Sequence, residues 1–148
     1  MSRRGAREVA LKTLFAMEFS PEAEIDATLK AAKDNLKEVE ETPFPVKPEI
    51  LGSRDIAYSK ELVQGVKEHE KSIDEEIDGA AKEWSLERMS SLDKILLRVA
   101  VYEMFYAVDR TPHSVAINEV VELSKAYGGD ETPGFINGIL GALVKKHG

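Results

Sequence analysis

The sequence predicts an all-α protein, a bundle of about seven helices with short connections. Three observations point to it. Apolar residues recur at spacings of three and four through nearly the whole chain, the period of a helix with one buried stripe. Serine and threonine followed by proline or by acidic residues punctuate that pattern where helices start. No stretch alternates apolar and polar residues long enough to argue for a strand.

The first helix is read over residues 3–19, with Ala6, Val9, Ala10, Thr13, Leu14 and Met17 on one side. Ser20-Pro21 then offers a cap followed by proline at the first helical position. The next helix repeats Ile25, Leu29, Ala32, Leu36 and Val39 as one apolar stripe. It ends before Thr42-Pro43-Phe44-Pro45-Val46-Lys47-Pro48, a surface loop or extended linker, since proline removes the amide donor a helix needs. Ser53 caps a third helix with Tyr58, Leu62 and Val66 on its face, and Gly65 allows close approach.

Ser72-Ile73-Asp74-Glu75 has the form of a capping box and opens a fourth helix that buries Ile73, Ile77, Ala80, Ala81 and Trp84. Ser90-Ser91-Leu92-Asp93 opens a fifth, about 91–108, apolar almost all round as a central helix should be. Thr111-Pro112 caps a sixth with Ala116, Val120, Leu123 and Tyr127 inward, stopped by Gly128-Gly129. Thr132-Pro133 opens the last, with Ile136, Ile139, Leu140 and Leu143 inward.

Composition narrows the class. At 148 residues, 43% apolar and 32% charged, the chain fits one domain, or at most two small ones, able to fold without metal or disulfide. It has no cysteine, which removes disulfides, thiolate nucleophiles and cysteine-based zinc sites and agrees with a cytoplasmic home. Charged residues interrupt the first turns and the run from Ile95 to Val108, so neither a secretory signal nor a membrane span is expected.

Charge is distributed unevenly. Arg3, Arg4, Arg7 and Lys12 against Glu8 give the first twelve residues +3, while the whole chain carries −7 and the other 136 residues therefore −10. A basic end on an acidic body attracts a polyanion at one patch and repels it elsewhere. With Arg4 as reference on a helical wheel, Arg7, Glu8, Leu11, Lys12, Phe15 and Phe19 fall within roughly 80° of it. Arginine forks onto phosphate, and an exposed ring stacks on an unpaired base. The alternative is that Phe15 and Phe19 pack under a neighbouring helix and the arginines are a solvated end.

A second candidate is Phe135, in the first turn of the last helix, among Gly134, Asn137, Gly138 and Gly141. Small residues there suit tight helix packing with Asn137 as a satisfied buried amide, or a ligand close to the backbone.

Catalytic signatures are absent. No Gly-x-Ser-x-Gly elbow, Walker sequence or Gly-x-Gly-x-x-Gly after a strand occurs, so no cofactor is indicated. His69, His113 and His147 fall on different elements with no i, i+4 partner, as surface or helix-end residues do. The chain is not expected to be an enzyme.

Four blocks carry a family resemblance. Val115-Ala116-Ile117-Asn118-Glu119-Val120-Val121-Glu122-Leu123-Ser124-Lys125-Ala126-Tyr127-Gly128 resembles the signature helix of the NusB family of bacterial antitermination factors. Phe135-Ile136-Asn137-Gly138-Ile139-Leu140 resembles the family's Phe-(Val/Ile)-Asn-Gly-(Val/Ile)-Leu block. The stretch from Asp93 to Met104 is similar to its central helix, and that from Arg4 to Phe15 to its arginine-rich opening.

The resemblance implies an all-α fold in two helical subdomains, placed here at about 1–85 and 86–148, with the proline-rich segment 42–53 as an insertion. It implies binding of boxA, a single-stranded signal in ribosomal RNA leaders, as a heterodimer with the ribosomal protein NusE, in an antitermination complex on RNA polymerase. Arg3, Arg4 and Arg7 match the family's basic RNA-binding end, and Lys12 extends that face. Phe15 stands where relatives often have tyrosine, keeping the ring and losing the phenol. Phe135 matches an aromatic that contacts RNA in relatives, and Asp93 and Glu131 match acidic positions near the RNA and partner surface. Other readings are an accessory subunit for a ribosomal RNA methyltransferase, since NusB-like domains also occur fused to such enzymes, and a purely protein-binding scaffold. Relatives of this fold are monomers or self-associate, and the sequence does not choose.

Overall fold

The computed structural model describes residues 3–20, 24–35, 53–81, 89–127 and 129–147. Pro21, Leu36, Val39, Trp84, Gly128 and the proline-rich segment up to Gly52 lie outside the described residues. Among the described residues there are six α-helices and no strand: α1 Arg4–Phe19, α2 Ile25–Asn35, α3 Ser53–Ala80, α4 Ser91–Val101, α5 His113–Tyr127 and α6 Thr132–His147. The all-α expectation holds. No described helix is long and apolar enough to cross a membrane.

The expected third and fourth helices are one helix. Ser72 and Glu75, the ends of the expected capping box, lie exposed on the middle of α3. A capping signal only decides where a helix would otherwise stop. Here Leu62, Val66, Ile73 and Ile77 are all buried and carry one stripe straight through it, with no proline or glycine from 66 to 78 to break the turn. Asp74, inside the expected box, binds an arginine of α4 instead of capping a helix.

The chain divides into two compact units, 1–64 and 65–148. The boundary between them falls inside α3. In the first unit α1 packs on α2. Val9, Ala10, Thr13 and Met17 of α1 and Leu29 and Ala32 of α2 are buried. The Ser59 hydroxyl of α3 donates to the Ala6 carbonyl at 2.9 Å, so a buried polar group is satisfied where α1 and α3 meet. Ser20 closes α1 through its amide, which donates to the Ala16 carbonyl, and does not cap α2, whose first turn begins at Ile25.

In the second unit α4 packs against both α5 and α6. Every residue from Ile95 to Val101 is buried, which is the all-round burial its sequence predicted. Ser90 caps it by accepting from the Asp93 amide at 3.1 Å. The helix then changes pitch, and Tyr102–Tyr106 form a π turn closed by the Ala107 amide on the Tyr102 carbonyl at 2.9 Å. The expected end at 108 therefore lies two residues past the observed one.

Glu103 explains the stop. Its carboxylate is fully buried and accepts from the Thr111 hydroxyl at 2.9 Å, while its carbonyl accepts from the Thr111 amide at 2.8 Å. Thr111 is therefore not the cap of α5. The Pro112 carbonyl takes that place, accepting from the amides of Val115 and Ala116.

One charged pair crosses the second unit. Arg98, largely buried, donates from Nε to Asp74 Oδ1 at 2.7 Å and from Nη2 to Oδ2 at 2.9 Å, and its Nη1 lies 3.3 Å from Glu70. Such a fork fixes α4 against α3 in one orientation, and breaking one side strands a buried charge.

Candidate nucleic-acid interface

The basic end of α1 lies in the first unit. Arg3 is exposed, Arg4 and Lys12 are half-buried and Phe15 is exposed at 41%. Phe19, one turn on, is exposed at 73%, and its ring meets that of Phe15 edge to face with centroids 5.2 Å apart. The two rings do not pack into the interior, so of the two placements the sequence left open the outward one is found.

Arg7 does not join this surface. It is 4% exposed, and its neighbours on the same side of the wheel, Glu8 and Leu11, are buried too. The amino-terminal half of α1 is enclosed on both sides, so a single-face wheel does not describe it. Burial also pushes the Lys12 amine below its ordinary value, while the charge of Glu8 one turn earlier pulls it back up.

Arg3 reaches another element. Its guanidinium carbon stands 4.0 Å from the centre of the Tyr58 ring on α3, a cation–π contact. Beside this pair a cleft of about 510 Å³ is lined by Arg3, Arg54, Asp55, Ala57, Tyr58 and Glu61. Sequence reasoning assigned Tyr58 to the apolar face of its helix and passed over Arg54. The available signal was the spacing of 54, 57, 58 and 61, which puts those residues on one face of α3.

Phe135, Asp93 and Glu131 belong to the second unit. Phe135 is half-buried, in the first turn of α6, and its amide donates to the Glu131 carbonyl at 3.2 Å. Glu131 is exposed just ahead of α6, and Asp93 is half-buried in the first turn of α4. Acidic side chains at helix starts favour the positive end of the helix dipole. The expected tight packing over Gly138 and Gly141 is not found, since a Cβ at either would meet nothing within 4 Å. Asn137 is exposed and not a buried amide. Small residues on this face of α6 leave it open instead of drawing a neighbour in.

His113 and His147 are exposed at helix ends, as expected, while His69 is half-buried in the middle of α3. His113 opens α5 and His147 closes α6, and both lie against Phe105, at 5.3 and 4.0 Å between ring centres. His147 also pairs with Glu76. Glu76 in turn accepts from the Tyr106 hydroxyl at 2.7 Å. Among the described residues no group of His, Cys, Asp or Glu could hold a metal ion.

Arg3, Phe15 and Phe19 are thus exposed on the first unit, and Phe135 is half-buried in the first turn of α6. The model of the NusB family matches residues 4–145. The chain belongs to the NusB family. It is similar to the transcription antitermination protein NusB of Bdellovibrio bacteriovorus, 37% identical over 146 residues, covering 99% of this chain and 97% of that one. It is 42% identical to the NusB protein of Carboxydothermus hydrogenoformans over 145 residues, covering 98% and 94%.

Among solved structures, T. maritima NusB superposes with a TM-score of 0.80 at 29% identity, over 99% of this chain and 92% of that one. NusB from a crystal structure of the antitermination factors NusB and NusE in complex with dsRNA shares the fold, with a TM-score of 0.77 at 22% identity over 97% and 96%. The NusB-family match takes in Arg4, Arg7, Lys12, Phe15, Asp93, Glu131 and Phe135, and Arg3 lies one residue ahead of it.

Proposed function

We propose that this NusB-family chain is a transcription antitermination factor. It binds boxA RNA of ribosomal RNA leaders together with the ribosomal protein NusE and promotes assembly of the antitermination complex on RNA polymerase. The family match from residue 4 to residue 145 carries this reading. The names of the relatives and the NusB–NusE–dsRNA complex of the same fold support it.

The work is done by binding, in the cytoplasm where transcripts are made, and no bond is formed or broken. Arg3 and Arg4 draw in phosphates, and the −10 remainder of the chain turns RNA away from other surfaces. Lys12, already partly stripped of water, loses little more on meeting a phosphate. Phe15 offers a ring to an unpaired base. Phe135 contacts RNA from the start of α6, while Asp93 and Glu131 face the RNA or the protein partner. Arg7, being buried, holds the start of α1 rather than touching RNA. With so sparse a basic end on α1 the chain alone binds RNA weakly, and NusE completes the site.

Fluorescence anisotropy tests this, using boxA RNA single-stranded and as a duplex, with and without NusE. The expected result is a preference for the single strand, tightening with NusE, and a salt slope of roughly 0.7 for each phosphate neutralised. NusE binding with no RNA affinity at any salt would leave a protein-binding scaffold in its place.

A further inference from the structure

We propose that the cleft at the start of α3 receives one unpaired nucleotide of the bound RNA, its base stacked on the Arg3–Tyr58 layer and its phosphate held by Arg54. The proposal rests on the RNA-binding function proposed for the chain and adds a subsite to it.

The cleft is built by helix geometry. Arg54, Ala57, Tyr58 and Glu61 succeed one another at three, one and three residues along α3, so they share a face. Ala57 is the short member, and its methyl leaves the space between Arg54 and the Tyr58 ring open. Arg3 comes across from the start of α1 and lies over that ring at 4.0 Å. A guanidinium is planar and has two faces. One face is taken by Tyr58, and because Arg3 is exposed the layer keeps an open side for a second flat group.

The lining decides what fits. A volume of about 510 Å³ lies within the range of pockets that hold small flat ligands. Two guanidiniums, two carboxylates, a phenol and one methyl do not suit an apolar helix from a protein partner. Asp55 is buried while Arg54 is exposed, so the cation presented to solvent on the first turn is Arg54, which forks onto phosphate. Glu61, half-buried on the next turn but one, opposes a second phosphate and accepts from the N–H edge of a base. A ligand with an anion at one end and donors at the other answers both, and a nucleotide is such a ligand.

The test uses the full chain and a short fluorescent boxA RNA. Arg54→Ala is expected to weaken binding about fivefold at 0.1 M salt relative to the difference at 1 M, and to lower the salt slope by roughly 0.7, the loss of one phosphate contact. Arg54→Lys restores most of the slope. Arg110→Ala removes an equally exposed arginine of the second unit and changes neither quantity. RNA carrying 4-thiouridine is expected to crosslink to the peptide containing Tyr58 on irradiation.

Arg54 is exposed, so its variants do not depend on the fold being spared. Wild-type binding with unchanged affinity and slope in Arg54→Ala, and crosslinks only elsewhere, would overturn the subsite and leave the RNA-binding reading intact. No RNA binding by the wild type would overturn both.

Discussion

The Tyr102 ring lies against Gly65 so closely that a Cβ there would overlap Cε1, Cζ and the hydroxyl oxygen of the tyrosine. Tyr102 is itself buried. Gly65→Ala therefore forces a shift in a packed core, which costs about 1–3 kcal/mol. At roughly 2–4 °C per kcal/mol for a chain of this size, thermal unfolding is expected several degrees lower. The double variant with Tyr102→Leu is expected to recover part of that loss, the signature of two residues sharing one space. An unchanged melting temperature in Gly65→Ala would show that the ring is not held there.

Arg4 and Arg7 are expected to separate in a paired measurement. Arg4→Ala weakens boxA binding and leaves the melting temperature where it was. Arg7→Ala removes a buried charge from an enclosed helix and is expected to destabilise by about 1–3 kcal/mol, with a loss of RNA affinity that tracks the loss of fold. Calorimetry and anisotropy on the same samples read both. Equal effects of the two substitutions on RNA at full stability would put Arg7 on the surface.

The aromatic positions are expected to report on stacking. Phe15→Ala and Phe135→Ala each cost about 1–3 kcal/mol of RNA affinity where a base stacks, and Phe15→Tyr keeps the ring and most of the binding. Phe135 is half-buried, so the discriminating result is affinity lost with stability kept. A change in melting temperature alone would make it a packing residue.

Tyr106 sets a dependence on high pH. Burial first, then its hydrogen bond to Glu76 and the charges of Glu76 and Glu75, push the phenol up from 10.0 to about 12. The folded protein thus keeps a proton that the unfolded chain gives up. The resulting stability is fully present below pH 10 and is lost as pH rises from 10 through about 12. Ultraviolet titration is expected to show a late-ionising step that is missing from Tyr106→Phe. The denaturation midpoint of Tyr106→Phe is expected to fall less steeply over that window than that of the wild type.

Much of this was legible in the chain. The stripe Ile136, Ile139, Leu140 and Leu143 gives α6, and the unbroken apolar run of α4 gives its central place, because burial on a helix shows directly as a period. The same rule put Phe15 and Phe19 on the charged side of α1 and left open whether they face outward or pack under a neighbour. The rule fails where its premise does. The amino-terminal half of α1 is enclosed on two sides, so the wheel put buried Arg7 with half-buried Arg4, although Leu11 on the same side was a sign of packing. Ser72 satisfied a local capping pattern, yet the stripe through Ile73 and Ile77 outweighed it. Arg3 over Tyr58 joins residues far apart in sequence, and no periodicity reports a contact of that kind. Gly138 and Gly141 show that a small residue permits a close neighbour without supplying one.

The π turn has a consequence for length. It fits one more residue into the helix than the ordinary pitch would hold over the same rise. Deleting a single residue between Tyr102 and Tyr106 would let the turn close at that pitch and leave the chain beyond it in register. Adding one there, where the slack is already used, would swing the chain beyond it by about 100° and carry Thr111 away from Glu103. The segment is therefore expected to tolerate the loss of one residue better than the gain of one.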